Sequence, residues 1–251
     1  MAEESPATDH RHGESVDSKI DQRTALTYWQ DANADVDGML GGVTTVSGFS
    51  QVSRVDLQGS RSFLAKLGIG AKNGRRKVSN ILEGGAGVGR VTEGLLLGVG
   101  ESVDIIEPIA KFTFHLQGKD GIRSIFNVGL EGWKAAEGTR YDLIWTQWCL
   151  GHLTDAQLIK YLEQCKAVLS NEQALIIVKE NMSTSGADHF DATDSSVTRE
   201  DSKYRQLFDQ AGLRIVRREM QKALPAHLPQ RLFPVQMYAL RPDVVPKLIS
   251  T

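Results

Sequence analysis

A short apolar run that leads into a glycine-rich turn constrains the fold of this chain more than any other feature. The run and the turn read ILEGGAGVGR over residues 81–90, and a stretch with helical character follows. Glycine has no Cβ atom, so glycines at alternate positions let the backbone pass close beneath a bound group. A strand, a glycine turn and a helix in this order are typical of a nucleotide-binding turn in an α/β domain.

The apolar runs that follow alternate with helix-like stretches. The strand candidates are residues 78–82, 103–106, 122–127, 141–146 and 174–179. Thr154 is the predicted N-cap of an amphipathic helix before the last of them. This alternation predicts an α/β fold with a mostly parallel sheet, whose ligand lies at the carboxyl ends of the strands. Residues 213–220 and 234–242 have no helix between them, so they predict an antiparallel pair at one edge.

Composition excludes several classes of protein. The chain has 251 residues, 41% of them hydrophobic, and a formal net charge of −2 without a basic block. This balance suffices for a sizeable core and disfavours nucleic acid as a partner. No run approaches the roughly 18 apolar residues of a membrane span, so no membrane partner is expected. Cys149 and Cys165 lack zinc-ligand spacing, so we expect free thiols in the cytoplasm or nucleus. We also expect no metal site and a monomer.

The glycine turn does not match two familiar phosphate-binding motifs. A phosphate-binding loop requires a lysine and then a hydroxyl residue, but Arg90 and Val91 follow the last glycine. The dinucleotide fingerprint would need glycine at position 90. A pyrophosphate ligand is therefore disfavoured without being excluded, and an NAD-dependent oxidoreductase remains a remote alternative. A plain strand-to-helix turn without a ligand also stays open.

Acidic residues on either side of the turn favour a different nucleotide. Glu83 precedes Gly85, Gly87 and Gly89 and can meet a cationic end of the ligand. Glu107 ends the second predicted strand, where a carboxylate can hold two ribose hydroxyls. A glycine turn with a carboxylate on each side suits an adenosine that carries an amino acid better than one that carries phosphates. The predicted cofactor is S-adenosylmethionine.

Six motifs, in order along the chain, resemble those of the protein N-terminal α-amino methyltransferases. They are YW at 28–29, VDGMLGG at 36–42, GAGVGR at 85–90, YDLIWTQWCLGHL at 141–153, KENM at 179–182 and DSSVTR at 194–199. The resemblance implies a Rossmann-like class I methyltransferase with a mostly parallel seven-stranded sheet. It implies S-adenosylmethionine as the methyl donor, S-adenosylhomocysteine as its product, and protein substrates with a free Xaa-Pro-Lys N-terminus.

The resemblance also implies how the chain is divided. Residues 1–24 are polar and lie outside the resemblance, and we expect them to form a disordered tail. Residues 25–251 are expected to form a single methyltransferase domain. Within it, residues 25–75 are expected to form a helical extension that caps the substrate channel.

Site residues follow from the resemblance by position. It implies cofactor contacts for Gly85, Gly87, Arg90, Glu107, Pro108, Ile109, Leu130, Glu131 and Gln147. It implies substrate contacts for Trp29, Leu40, Gly41, Trp148, Asp191, Ser196 and Phe233. It implies catalytic roles for Asp194, His152 and Asn181.

Three positions depart from better-known members of the family. Glu107-Pro108-Ile109 stands where some members carry an Asp-Ile-Thr run, which keeps the ribose carboxylate and loses a side-chain hydroxyl. Glu131 replaces a glutamine and adds charge beside the adenine. Phe233 replaces a tyrosine that faces the substrate, so one hydrogen bond to the peptide is in question.

Methyl transfer to an α-amine requires a neutral nitrogen, and the amine has a reference pKa of about 7.7–8.0. The site must therefore accept a proton, for which Asp194 is the first choice and His152 the second. Asn181 offers a carbonyl oxygen that orients the amine without adding charge. A carboxylate near an ammonium also raises the pKa of the amine, which opposes its deprotonation.

The remaining assignments follow the chemistry of an Xaa-Pro-Lys start. Trp29 and Trp148 offer flat faces to a proline, and Trp148 can attract a methylated ammonium. Asp191 and Asp194 lie in a predicted loop and suit the ammonium of the lysine.

Several of these residues have a simpler structural interpretation. His152 could bond a nearby backbone group, Asp194 could cap the helix that follows it, and Trp29 could fix the N-terminal helix. Cys149 and Trp145 are interpreted as packing residues. A methyltransferase for small-molecule amines and a binding protein without catalysis remain the alternative functions.

Overall fold

The computed structural model describes residues 15–42, 51–72, 74–224 and 232–243. The strands are β1 (Val78–Gly84), β2 (Gly100–Ile106), β3 (Ile122–Phe126), β4 (Leu143–Gln147), β5 (Leu175–Asn181), β6 (His189–Asp191), β7 (Ser196–Thr198), β8 (Leu213–Met220) and β9 (Val235–Pro242). The helices are α1 (Gln22–Asp31), α2 (Val36–Met39), α3 (Val52–Lys66), α4 (Leu97–Val99), α5 (Ala110–Thr113), α6 (Asp155–Ala167) and α7 (Asp201–Gln210). A π-helical stretch, Thr92–Leu96, leads directly into α4.

Seven strands form one sheet in the order β3-β2-β1-β4-β5-β9-β8. β1 pairs in parallel with both β2 and β4, so the strand order reverses at the carboxyl end of β1. A crevice at such a reversal is where α/β sheets bind their ligands. β9 pairs antiparallel with β5 and with β8, and the two final strands lie at one edge. The predicted sheet and its antiparallel edge are confirmed.

The central strands are buried on both faces, as expected for a sheet covered by helices. All five residues of β4 are buried. One face packs against α6 and α7 through residues such as Tyr161 and Phe208, and the other packs against α3 through Phe63 and Leu64. Trp145 belongs to this second cluster and is fully buried, which confirms that it is a core residue.

Local hydrogen bonds explain where two of the helices begin. Thr154 caps α6: its hydroxyl accepts from the backbone of Gln157, while the Gln157 side chain accepts from Thr154 N. This capping box confirms the predicted N-cap. α7 begins after Glu200, so Asp194 does not cap it and that simpler interpretation is wrong. Among the described residues, no helix combines the length and the apolar character needed to cross a membrane.

Two segments are more ordered than the sequence predicted. Residues 15–24 were assigned to a disordered tail, but they form a 3₁₀ turn, Val16–Lys19, and the start of α1. The Asp21 side chain caps α1, and Asp21 N donates to Ser195 Oγ at 2.8 Å. The rest of the predicted tail lies outside the described residues. The predicted loop over residues 183–196 contains β6 and the first residue of β7, which pair as a two-stranded hairpin.

Candidate active site

A cavity of about 340 Å³ lies at the carboxyl ends of β1, β2 and β4. Its lining comes from the glycine turn, from the segments after β2, β3 and β4, and from the N-terminal helices. The residues that line it are Gln22, Ala25, Leu26, Trp29, Met39, Glu83, Gly85, Ala86, Gly87, Arg90, Val91, Glu107, Pro108, Phe112, Asn127, Val128, Gly129, Leu130, Glu131, Gln147, Trp148, Cys149, His152 and Leu153.

The glycine turn follows β1 in the conformation that its sequence predicted. Gly85, Gly87 and Gly89 have φ values of 68°, 54° and 73°, in the left-handed region that favours glycine. A Cβ atom on Gly87 would lie 2.6 Å from Met39 Sδ. Glycine at this position therefore lets the end of α2 close over the turn.

The Glu107 carboxylate fastens the end of β2 to this turn. Gly87 N donates to Glu107 Oε2 at 2.8 Å, and Ile109 N donates to Oε1 at 3.0 Å. Burial raises the pKa of Glu107, and these two backbone donors oppose the shift. Each carboxylate oxygen can accept a further hydrogen bond. Two neighbouring hydroxyls are the groups that such a fixed carboxylate can hold.

Glu83 places a second carboxyl group in the cavity wall. It is 2% exposed and accepts a hydrogen bond from the Thr92 hydroxyl. Burial raises the pKa of Glu83 to about 8, although the Thr92 hydroxyl and the charge of Arg90 oppose the shift. The group therefore binds a proton near neutral pH, and a cation that enters the cavity favours its ionisation.

Trp148 begins a strained turn after β4. It has a φ of 56°, which a residue other than glycine rarely adopts. Trp148 N donates to Lys179 O at 3.1 Å, while Cys149 N and Leu150 N donate to Glu180 Oε1 at 2.9 and 3.0 Å. Burial raises the pKa of Glu180 to about 7, against the effect of these donors. Because these hydrogen bonds fix the turn, the Trp148 indole forms part of the cavity wall.

His152 is held in the same wall by the first helix. Trp29 Nε1 donates to His152 Nε2 at 3.0 Å, and Gln22 Nε2 donates to His152 O at 2.7 Å. Burial lowers the pKa of His152, and the charge of Asp194 opposes that shift. The imidazole is thus neutral with its proton on Nδ1, because Nε2 accepts from the indole. The partner of His152 Nε2 is thus a side chain, while an interaction with the Ser195 backbone also opposes the lowering of the imidazole pKa, in line with the simpler interpretation.

Three buried polar atoms near this wall have no hydrogen-bond partner in the described part of the chain. They are Trp148 Nε1, His152 Nδ1 and Asp194 Oδ1. Buried polar groups nearly always find partners, and an unsatisfied cluster calls for a ligand or a water molecule. Asp194 and Asp191 also raise the pKa of Tyr28, after the larger effect of its burial. The two carboxylates of the hairpin therefore lie close to α1.

Nearly the whole chain matches one known family. The sequence profile described as "AdoMet dependent proline di-methyltransferase" matches residues 17–241. The chain belongs to this family. AdoMet is S-adenosylmethionine, so the cofactor predicted from Glu83, the glycines and Glu107 is confirmed.

Named relatives and a solved structure agree with this family. "Alpha N-terminal protein methyltransferase 1" of Schizosaccharomyces pombe is 42% identical over 224 residues, which cover 87% of this chain and 94% of the relative. "N-terminal Xaa-Pro-Lys N-methyltransferase 1" of Mus musculus is 36% identical over 90% of this chain and 97% of the relative. A SAM-dependent methyltransferase from Leishmania major superposes with a TM-score of 0.73 at 34% identity, over 87% of this chain and 82% of that one. The Rossmann-like methyltransferase fold is confirmed.

The cavity contains almost every residue that the family resemblance assigned to the cofactor. Those in its lining are Gly85, Gly87, Arg90, Glu107, Pro108, Leu130, Glu131 and Gln147. Ile109 is not in the lining; it is buried beside Val88 and Phe112, and its N–H supports Glu107. The residues present fit S-adenosylmethionine, because buried carboxyls, glycine backbone and apolar walls match its charges, hydroxyls and adenine in kind.

The assigned substrate and catalytic residues are divided between two places. Trp29, Trp148 and His152 line the cavity. Those outside its lining are Leu40, Gly41, Asn181, Asp191, Asp194, Ser196 and Phe233. Asn181 ends β5, Asp191 pairs with Ser196 across the hairpin, and Phe233 is 40% exposed with its ring 6.4 Å from that of His189. Their roles toward the substrate stay predictions.

A buried charge cluster behind the cavity was missed by the sequence analysis. Asp56 of α3 and Lys179 of β5 are fully buried and form an ion pair of 2.5 Å. The signal was present, because Asp56 and Ser60 stand between Val52 and Phe63 on one buried face of the helix. A carboxylate on an apolar helix face requires a buried partner.

The expectation that residues 25–75 cap the channel fits α1 and α2. By contrast, α3 contributes no residue to the cavity lining.

Proposed function

We propose that this protein methylates the α-amine of proteins that begin Xaa-Pro-Lys, with S-adenosylmethionine as donor. The observation that supports the proposal best is one cavity with two kinds of wall. Glu83, Glu107 and the glycine turn suit the donor, whereas Trp29 and Trp148 suit a proline. The mouse relative is named for Xaa-Pro-Lys N-termini, and the fungal relative for the α-N-terminus of proteins.

The residues that would hold the donor are defined by their chemistry. Glu107 would accept hydrogen bonds from the two ribose hydroxyls, and Leu130 and Val128 offer apolar surface to the adenine. Glu83 and Arg90 would meet the ammonium and the carboxylate of the amino-acid part. When bound, S-adenosylmethionine supplies an electrophilic methyl group. The protein supplies the orientation and the electrostatic environment.

The proton of the incoming amine needs an acceptor, and the geometry favours Asp194 over His152. His152 Nε2 already accepts from the Trp29 indole, so His152 can take up a proton there only by breaking that bond. Asp194 Oδ1 is buried and unpartnered among the described residues, and a carboxylate oxygen accepts without rearrangement. Asp194 thus acts as the proton acceptor, and neutral His152 offers its Nδ1–H to orient a polar group.

Cys149 lies in the cavity wall but does not compete with the amine. Its thiol donates to Gly84 O at 3.2 Å, and burial raises the pKa of Cys149 well above the ordinary value. The thiolate is the nucleophilic form of cysteine, so a thiol held protonated is inert toward a methyl donor.

The proposal is tested with synthetic peptides that differ only in their first three residues. Labelled S-adenosylmethionine is incubated with an Xaa-Pro-Lys peptide and with peptides in which proline or lysine is replaced by alanine. The proposal requires methylation of the first peptide and a kcat/KM that is at least about tenfold lower for each of the others. Methylated products from a set of small metabolite amines, together with no methylation of any peptide, would instead establish the small-molecule alternative.

We further propose that the protein acts as a monomer in the cytoplasm or nucleus, without nucleic acid or a membrane as partner. The near-neutral net charge of −2 supports the absence of a nucleic-acid partner, because the chain has no basic surface footprint. Light scattering after gel filtration tests the first part, and a dimer mass would contradict it. Microscopy of the tagged full chain tests the location.

A further inference from the structure

Arg90 and Gln147 of the cavity wall share one anchor outside the cavity, the carboxylate of Asp56. Arg90 Nη1 donates to Asp56 Oδ2 at 2.7 Å, and Gln147 Nε2 lies 3.1 and 3.0 Å from the two Asp56 oxygens. Asp56 does not line the cavity and is fully buried in α3. The helix therefore acts on the cavity through the side chains that Asp56 holds.

Lys179 keeps that anchor charged. Besides its ion pair with Asp56, its ammonium donates to Asp56 O at 3.1 Å, Ser60 Oγ at 2.9 Å and Gln221 Oε1 at 2.8 Å. Burial would raise the pKa of Asp56, but the charges of Lys179 and Arg90 lower it overall. All donors of Lys179 are thus used within the cluster, and none is left for a ligand.

The cluster holds one carboxylate for two cations, so one positive charge is left over. Lys179 is sealed off, whereas Arg90 reaches the cavity and its guanidinium carbon lies 5.1 Å from the centre of the Trp148 ring. Glu83 also faces Arg90, but in the proposed complex its carboxylate is balanced by the ammonium of the cofactor. The excess charge is therefore available to an anionic group of a ligand.

We infer that Asp56 is a positioning residue that directs Arg90 toward the carboxylate of the cofactor's amino-acid part. The same carboxylate fixes the Gln147 amide, whose oxygen accepts from Trp145 Nε1 at 3.2 Å. Without the Asp56 carboxylate, Arg90 would lose its one hydrogen-bonded partner among the described residues. The inference rests on the cofactor of the proposed function. It concerns cofactor binding only, so it does not depend on which amine is methylated.

The test compares two ligands by calorimetry in the absence of any acceptor. S-adenosylhomocysteine carries the amino-acid part, and 5′-methylthioadenosine has the same adenosine and thioether without it. Asp56→Asn should lower the affinity for S-adenosylhomocysteine by about tenfold or more and the affinity for 5′-methylthioadenosine by less than about threefold. In an Arg90→Met background, Asp56→Asn should change S-adenosylhomocysteine affinity by less than about twofold, because its effect passes through Arg90.

Asp104→Asn is the matched control. Asp104 is 2% exposed and pairs with Arg123, as Asp56 pairs with Arg90, but neither Asp104 nor the side chains that donate to it, Arg123 and Tyr141, line the cavity. Its variant should leave both affinities within about twofold. If Asp56→Asn alone does not fold, the double variant D56N/K179M keeps the net buried charge unchanged and should show the same contrast between the two ligands.

Two results would overturn the inference. One is an equal loss of affinity for both ligands, which is what a purely structural role of Asp56 produces. The other is a full effect of Asp56→Asn that persists without Arg90. A wild-type protein that binds S-adenosylhomocysteine but ignores Xaa-Pro-Lys peptides would refute the proposed substrate and leave the role of Asp56 standing.

Discussion

His152 shows at the scale of one residue how the fold selects a protonation state. The indole of Trp29 donates to Nε2, and burial opposes the imidazolium, so both effects favour the neutral ring. The family resemblance could point to His152 and Asp194 as a pair. It could not assign their roles, because the decisive hydrogen bond joins residues 123 positions apart in the chain.

Trp29→Phe should raise the pKa of His152, because it removes a donor that stabilises the neutral ring. The measurement is an NMR titration of the histidine ring, with the exposed His115 as an internal reference. A pKa that is unchanged or lower in the variant would show that the indole does not control this imidazole.

Asp194→Asn should lower kcat by about 100-fold or more, because the amide cannot accept the amine proton. Affinity for S-adenosylhomocysteine should stay within about twofold, since Asp194 does not line the cavity. Asp191→Asn is the matched control: this exposed residue of the same hairpin should raise the KM for the peptide and leave kcat within about threefold. A normal kcat in Asp194→Asn would remove it from the chemistry.

Glu83→Gln should flatten the pH dependence of stability in the cofactor-free protein. The folded pKa of Glu83 is raised to about 8 from 4.5, so the folded state binds more protons than the unfolded state between these values. The free energy of unfolding therefore falls as pH rises through this window, by up to about 1.4 kcal/mol per pH unit for one group. Urea melts between pH 5 and 8 should show a smaller fall in the variant, where Glu180 still contributes. Equal slopes would contradict the assignment.

At the scale of elements, the turn after β4 depends on two buried side chains from distant segments. Glu180 of β5 receives the N–H groups of Cys149 and Leu150, while Arg199 donates to Leu150 O and Leu153 O. The strained Trp148 backbone persists because its surroundings hold it from both sides. The orientation of the substrate wall is therefore set by the end of β5 and by the segment after β7.

Arg199→Lys should destabilise the protein by about 2–4 kcal/mol, because a lysine cannot reproduce the guanidinium fork and leaves a buried carbonyl unpaired. Chemical denaturation measures the change. Arg205→Lys on α7 is the control, since its ion pair with Asp201 is exposed and should contribute less than about 0.5 kcal/mol. Equal stabilities of the two variants would show that Arg199 does not hold the turn.

Local sequence patterns predicted most elements because the signals lie within a few residues. The apolar runs of the sheet, the capping residue Thr154 and the pair 213–220 with 234–242 were all readable in this way. The hairpin of β6 and β7 was missed, because its three-residue strands lie within a polar segment that reads as a loop. The start of α1 was missed because a polar composition hid the cap Asp21.

At the scale of the whole molecule, the site depends on contacts that no local pattern contains. Lys179 Nζ reaches the backbone oxygen of Asp56 across 123 positions, and Asp21 meets Ser195 across 174. The glycine turn and Glu107 could be found from the sequence because the order of the strands brings them together. The support behind Arg90, and the cover formed by α1 and α2, became visible only in the fold.

The central claim is that this cavity directs a methyl group to the α-nitrogen of a chain end that starts Xaa-Pro-Lys. The most direct measurement is tandem mass spectrometry of the product from such a peptide, alongside the same peptide with an acetylated α-amine. We predict that every added methyl lies on the α-nitrogen and that the acetylated peptide gains none. Methyl groups on the lysine side chain, or on the acetylated peptide, would contradict the account.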